Sequence, residues 1–314
     1  QAERIVTFAR FQKEGELIRR HRQAWSKLWE SDIIIEGDLQ AQKEIRSMLY
    51  HLYSFSREGI AQSLSPMGLS GLGYNGHVFW DTEMFMMPPM LMLQPQMARS
   101  MLEYRFERLE EARKNAASYG YAGAMFPWES ASTGAEDCPV TSLAGTFQHH
   151  VTADVAIACW NYWLATQDRE WLETRGWPVL KATAEFWVSR VERTDDGKYH
   201  VYNVMGADEW AVNKDDDAYT NGAVKRNLEF ATAAAKELGI KTVPCVFIEG
   251  LTDEQRRAYI LADNRLGELG EWDMELVLDE LTELDDLGFD IELTGFEMPE
   301  ELPEVIEDDF DESA

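Results

Sequence analysis

Gly120–Pro139, GYAGAMFPWESASTGAEDCP, is a polar and aromatic loop set between two helical stretches. Ahead of it Pro95 opens a helix, since proline suits the first turn, and Gly120 reads as the stop, since glycine accepts a left-handed backbone. Behind it Val151, Val155, Ala158 and Tyr162 recur at helical spacing. The unit is helix, long loop, helix.

The same unit recurs outward. Residues 1–30 read as one helix carrying Ile18, His21, Trp25, Leu28 and Trp29. Asp38 is a candidate N-cap for a second, with Ile45, Met48, Leu49, Leu52 and Tyr53 on one face. The Met-rich run 84–93 reads as a buried helix broken by Pro88 and Pro89, its methionines filling core. Pro178 to about Val191 gives another helix, and Val224, Leu228, Ala231, Ala235 and Leu238 mark one more. Asp195-Asp196-Gly197 signals a turn before a short strand at 199–202. The fold class is mainly α, with helix pairs packed in a ring and the unusual residues collected in loops at one rim.

Composition bounds the function. Hydrophobic residues at 45% and aromatics at 11% suffice for a substantial core. The net charge is −28, but residues 266–314 hold 20 Asp or Glu and no Lys or Arg, so most of it lies in that tail. No basic footprint for nucleic acid exists, and no apolar run is long enough to span a bilayer. Cys138, Cys159 and Cys245 show no metal spacing and cannot all pair, so a reducing, cytoplasmic compartment and no cofactor or metal are expected. His149 and His150, at a helix start, read as packing or capping residues.

Three loops share residue types suited to sugars. One holds Asn75, His77, Trp80, Asp81 and Glu83; the next Trp128, Glu129, Ser130 and Glu136. The third is Val204–Asn221, VMGADEWAVNKDDDAYTN, with Asp208, Glu209 and Trp210 adjacent. Aromatic faces cover the apolar side of a pyranose, and carboxylates and amides take its hydroxyls directionally. Glycosidic cleavage needs a carboxyl protonated near neutral pH, and neighbouring carboxylates or a desolvating Trp raise a Glu to that point. Taken alone, the third string also fits a solvated acidic loop before a helix.

Over about 1–239 the strings GLGYNGHVFWDTE, LEYRFERLEEARKNAASYGYAGAMFPWESASTGAEDCP, AEFWVSRVE and VMGADEW…YTN resemble glycoside hydrolase family 65. The resemblance is nearest to the hydrolase branch, which includes kojibiose hydrolase and the glucosylgalactosylhydroxylysine glucosidase. It implies an (α/α)6 barrel, present here in part, and an inverting α-glucoside hydrolase. Glu209 takes the place of the general acid, Trp80 and Asp81 match the pair gripping the terminal glucose, Trp128 and Glu129 match further sugar contacts, and Asp208 beside the acid is a further candidate sugar contact. Ala207 departs from the Pro usual before Asp-Glu. The part of the family's barrel beyond Tyr219–Asn221, which supplies the hydrolases' base or the phosphorylases' phosphate pocket, has no counterpart in the string. An α-glucoside phosphorylase is therefore the alternative within the family. Asp208, Asp81, Glu129 and Glu136 have the right chemistry for a base, without the resemblance assigning them that role.

From about Lys236 the vocabulary changes. VPCVFIEGLTDEQ and AYILADNRL resemble the ParB-like (sulfiredoxin-like) domain of phage and plasmid proteins. That implies a small, incomplete α/β segment at 240–298, an acidic disordered tail at 299–314, and a junction between about Ala231 and Thr242. A non-catalytic fusion carrying a DNA-associated interaction module is the second alternative, with no direct nucleic-acid contact expected. A partial barrel exposes apolar surface, so self-association is expected as well.

Overall fold

In the computed structural model α8 (His150–Thr166) is buried on nearly every side, with 12 of its 17 residues inside. A helix apolar all round belongs at the centre of a layer of helices, not on its surface. The structure describes residues 2–241, apart from 14, 72 and 196, together with 281–282. The chain divides into two units, Gln1–Val246 and Phe247–Ala314. The ParB-like segment and the acidic tail expected from sequence lie outside the described residues.

Around α8 the helices run in chain order as α1 (Ala2–Arg10), α2 (Glu16–Leu28), α3 (Leu39–Phe55), α4 (Met87–Leu93), α5 (Pro95–Glu107), α6 (Leu109–Ser118) and the short α7 (Ala144–Phe147). After α8 come α9 (Arg169–Trp171), α10 (Trp177–Arg190) and α11 (Ala218–Leu238). Among the described residues, strand is confined to an antiparallel pair, β1 (Glu192–Arg193) and β2 (Tyr199–His200), closed by the expected turn. α8 packs on α4, α5, α10 and α11. The core joins Tyr53, Met87, Met90, Met101, Tyr162, Trp171 and Leu180.

Caps set several boundaries. The Asp38 carboxylate accepts from the backbone N–H groups of Gln40 and Ala41 at 2.9 and 3.0 Å, satisfying donors the first turn of α3 leaves open. Asp217 does the same for α11 through Thr220 N at 2.8 Å, and Gly239 ends that helix at φ 72°.

Four expectations are corrected. Residues 1–30 form two helices, because Gly15 turns left-handed (φ 78°) between them. Pro88 and Pro89 do not break the Met-rich helix; they sit in the first turn of α4, where a missing N–H goes unneeded, and the break is a π-turn at Thr82–Met86. Its methionines are not all core, since Met92 is 80% exposed. The run from Pro95 to Gly120 is interrupted at Arg108, whose N–H bonds back three residues to Arg105 and closes a tighter turn. Arg108 then reaches sideways, donating from Nε to Ser132 O at 3.0 Å and stacking over Tyr104 at 3.8 Å.

Candidate active site

The first two loops are stitched to each other. Val78 and Ser130 exchange backbone hydrogen bonds of 3.1 and 2.9 Å in an antiparallel bridge. Behind the bridge Tyr104 donates its hydroxyl to Ala131 O at 2.8 Å, and Phe79 meets the Trp128 ring edge to face at 4.9 Å. The Trp128 indole N–H finds no acceptor among the described residues. Trp80 and Asp81 follow the bridge directly and are half-buried.

Several acids have structural uses. Glu136 accepts from the backbone N–H groups of Trp128 (2.7 Å), Glu129 (2.9 Å) and Cys138 (3.1 Å), so it shapes the loop it belongs to. Burial pushes its carboxyl up against the pull of those three donors. Glu129 is buried, and its Oε1 lies 2.8 Å from His77 Nδ1, whose other ring nitrogen stands 3.6 Å from Asp137. Glu83 is not a sugar group here. It forms a bidentate pair with Arg105 at 2.7 and 2.9 Å, with both side chains 1% exposed.

The third loop is held at both ends. Val204 and Lys214 close it with paired 2.8 Å backbone bonds. Gln148, buried between α7 and α8, donates from Nε2 to Gly206 O at 2.7 Å, and Met205 N–H bonds Phe147 O at 3.0 Å. Gly206 is required by space, since a Cβ there would stand 2.4 Å from Asp217 Oδ2. Between these anchors Asp208 accepts from Trp210 N at 3.1 Å. Glu209 is exposed and Trp210 is 96% exposed, so the expected desolvation of the acid by its neighbouring indole is absent. In this chain Glu209 stands on an anchored loop, open to water.

An aromatic cluster joins the first loop to the helix that follows the third. Trp80 packs edge to face on His150 at 4.8 Å and on Tyr219 at 5.7 Å. His150 and Tyr219 both bond Asp154, which is fully buried. The His150–Asp154 pair escaped the sequence reading, although its i, i+4 spacing puts both on one helix face. His149 is a packing residue as expected, accepting from Arg190 Nε at 3.3 Å. Burial and the Arg190 charge depress it to about 4.

A groove of about 890 Å3 lies elsewhere, lined by His21, Trp25, Tyr50, Arg57 and Gln94 and by no residue of the three loops. The loop chemistry, not that groove, marks the candidate site. Cys138 and Cys159 carry free thiols. No group of three or more His, Cys, Asp or Glu among the described residues has the geometry to hold a metal, and no helix among them is long and apolar enough to cross a membrane.

The glycosyl hydrolase family 65 central catalytic domain matches residues 46–280. The chain belongs to glycosyl hydrolase family 65. The match crosses the 231–242 region where the vocabulary changes. Kojibiose hydrolase of Flavobacterium johnsoniae is 62% identical over 240 residues, 76% of this chain and 35% of that protein. Protein-glucosylgalactosylhydroxylysine glucosidase of Dictyostelium discoideum is 43% identical over 225 residues, 70% of this chain and 32% of that one. A solved structure described as a kojibiose phosphorylase from the human microbiome superposes with a TM-score of 0.69 at 25% identity, covering 77% of this chain and 36% of that one. The mainly helical body fits part of an (α/α)6 barrel. The chain spans about a third of the length of the curated relatives it matches.

Proposed function

We propose that this chain carries the glucose-binding and proton-donating part of an inverting α-glucoside hydrolase. Trp80, Asp81, Trp128, Glu129 and Asp208 hold the terminal glucose, and Glu209 protonates the leaving glycosidic oxygen. The observation that carries this reading is the Ala207–Trp210 segment. It is pinned through Gly206 and Met205 to the α7–α8 corner, yet leaves the Glu209 carboxyl open. In an inverting reaction a second carboxylate activates water about 6.5–9.5 Å across the sugar.

The hydrolase is preferred to the phosphorylase because the kojibiose hydrolases are 62% and 55% identical, against 42% for kojibiose phosphorylase of Thermoanaerobacter brockii.

The test is glucose release from kojibiose, with and without phosphate, for the native chain and Glu209→Gln. Where the native chain turns kojibiose over, the expected result is phosphate-independent release of β-glucose, lowered roughly 10²–10⁴-fold by the substitution. Turnover retained in Glu209→Gln refutes the assignment of the acid, and release that requires phosphate refutes the hydrolase.

A further inference from the structure

Asp154 is 0% exposed, and each of its oxygens has its own donor. Oδ2 lies 2.7 Å from His150 Nδ1, one turn back on α8, and Oδ1 accepts the Tyr219 hydroxyl at 3.0 Å from the first turn of α11. The two donor rings make a third contact with each other, edge to face at 4.9 Å and 84°. Trp80 closes the triangle, meeting His150 at 77° and Tyr219 at 67°. His150 Nε2 has no hydrogen-bond partner among the described residues, so the bond to Asp154 is the ring's one directional polar contact among them.

A carboxylate in such a place is expensive to desolvate, and an apolar side chain of similar size would pack there at lower cost. What the carboxylate adds is direction. Edge-to-face ring clusters have several arrangements of similar energy, and two hydrogen bonds to fixed oxygens select one of them. We propose that Asp154 is a positioning residue for the sugar site. Through His150 and Tyr219 it sets the angle of the Trp80 ring, and it ties the loop carrying Trp80 to the start of α11, directly after the loop carrying Glu209. This rests on the reading of Trp80 as a wall of the glucose site.

The test uses the full chain labelled with 5-fluorotryptophan, the Trp80 resonance being assigned with Trp80→Phe. Tyr219→Phe removes one hydroxyl and keeps the ring; Asp154→Asn keeps the shape and alters the acceptors. Both variants should move or broaden the Trp80 fluorine resonance while the other tryptophan resonances and the helical circular dichroism stay in place. Tyr219→Phe should also weaken methyl α-glucoside binding, by at most on the order of tenfold, since only part of the lost hydrogen bond's contribution can pass to the bound sugar. A Trp80 resonance unmoved in both variants overturns the proposal. So does a moved resonance with native glucoside affinity, since the clamp would then be structural only. If Trp80→Phe itself leaves glucoside binding intact, the sugar-wall reading fails, and Asp154 loses its role at the site whether or not the resonance moves.

Discussion

Arg105→Ala is the perturbation whose magnitude the structure defines best. The guanidinium donates from Nε and Nη2 to the two oxygens of Glu83, and Nη2 also reaches Phe79 O at 3.3 Å, just ahead of Trp80. Each charge-assisted bond contributes about 1.5–3 kcal/mol. Removing the cation also strands a carboxylate that is 1% exposed, and burial already pushes that carboxyl up against the pull of Arg105. Breaking a buried pair from one side costs about 3–5 kcal/mol, about a fifth or more of the stability of an ordinary domain. For a body of this size that is a fall in melting temperature of about 6–20 °C. The assay is thermal and urea unfolding followed by helical circular dichroism. The paired replacement Glu83→Leu with Arg105→Met is expected to recover most of the loss, because the expense lies in the unpaired charge. A loss below about 1 kcal/mol for Arg105→Ala, or a double variant worse than the single, refutes the reasoning.

Two further outcomes are expected. Gly206→Ala must displace the Asp217 carboxylate 2.4 Å away, so it should cost about 1–3 kcal/mol by overpacking. Adding Asp217→Ala removes the clash, so the double variant should cost less than the sum of its parts in the same unfolding assay, and strict additivity counts against the contact. His149 is held at about 4 in the folded chain, below the usual histidine range. Between about pH 6.5 and 4 the unfolded chain therefore binds the extra proton, and stability falls as pH is lowered through that window, by at most about 1.4 kcal/mol per pH unit. The stability difference between His149→Phe and the native chain should narrow across that window in pH-dependent urea melts; a constant gap would assign the pH dependence to other groups.

Much of the fold was legible in the string. The N-cap at Asp38, the openings at Pro95 and Pro178, the stop at Gly120 and the spacing of Val151, Val155, Ala158 and Tyr162 are local signals, because caps and apolar periodicity act within one or two turns. The interruptions at Gly15 and Arg108 were missed. A helical face continues across each, and the Arg108 break is anchored by a contact 24 residues away, Ser132 O.

The types of residue at the candidate site were equally legible, since Trp, Glu, Asp and His crowd three loops regardless of how those loops fold. Their division of labour was not. Glu83, Glu129, Glu136 and Glu209 are the same chemical group in the sequence. Only the tertiary structure pairs the first with Arg105, sets the second against His77, gives the third three backbone donors, and leaves the fourth facing water. The sequence by itself determines which groups can ionise, stack or cap. The tertiary structure decides which of them are spent on partners far along the chain, because a buried charge must be satisfied wherever the fold brings a donor within about 3 Å.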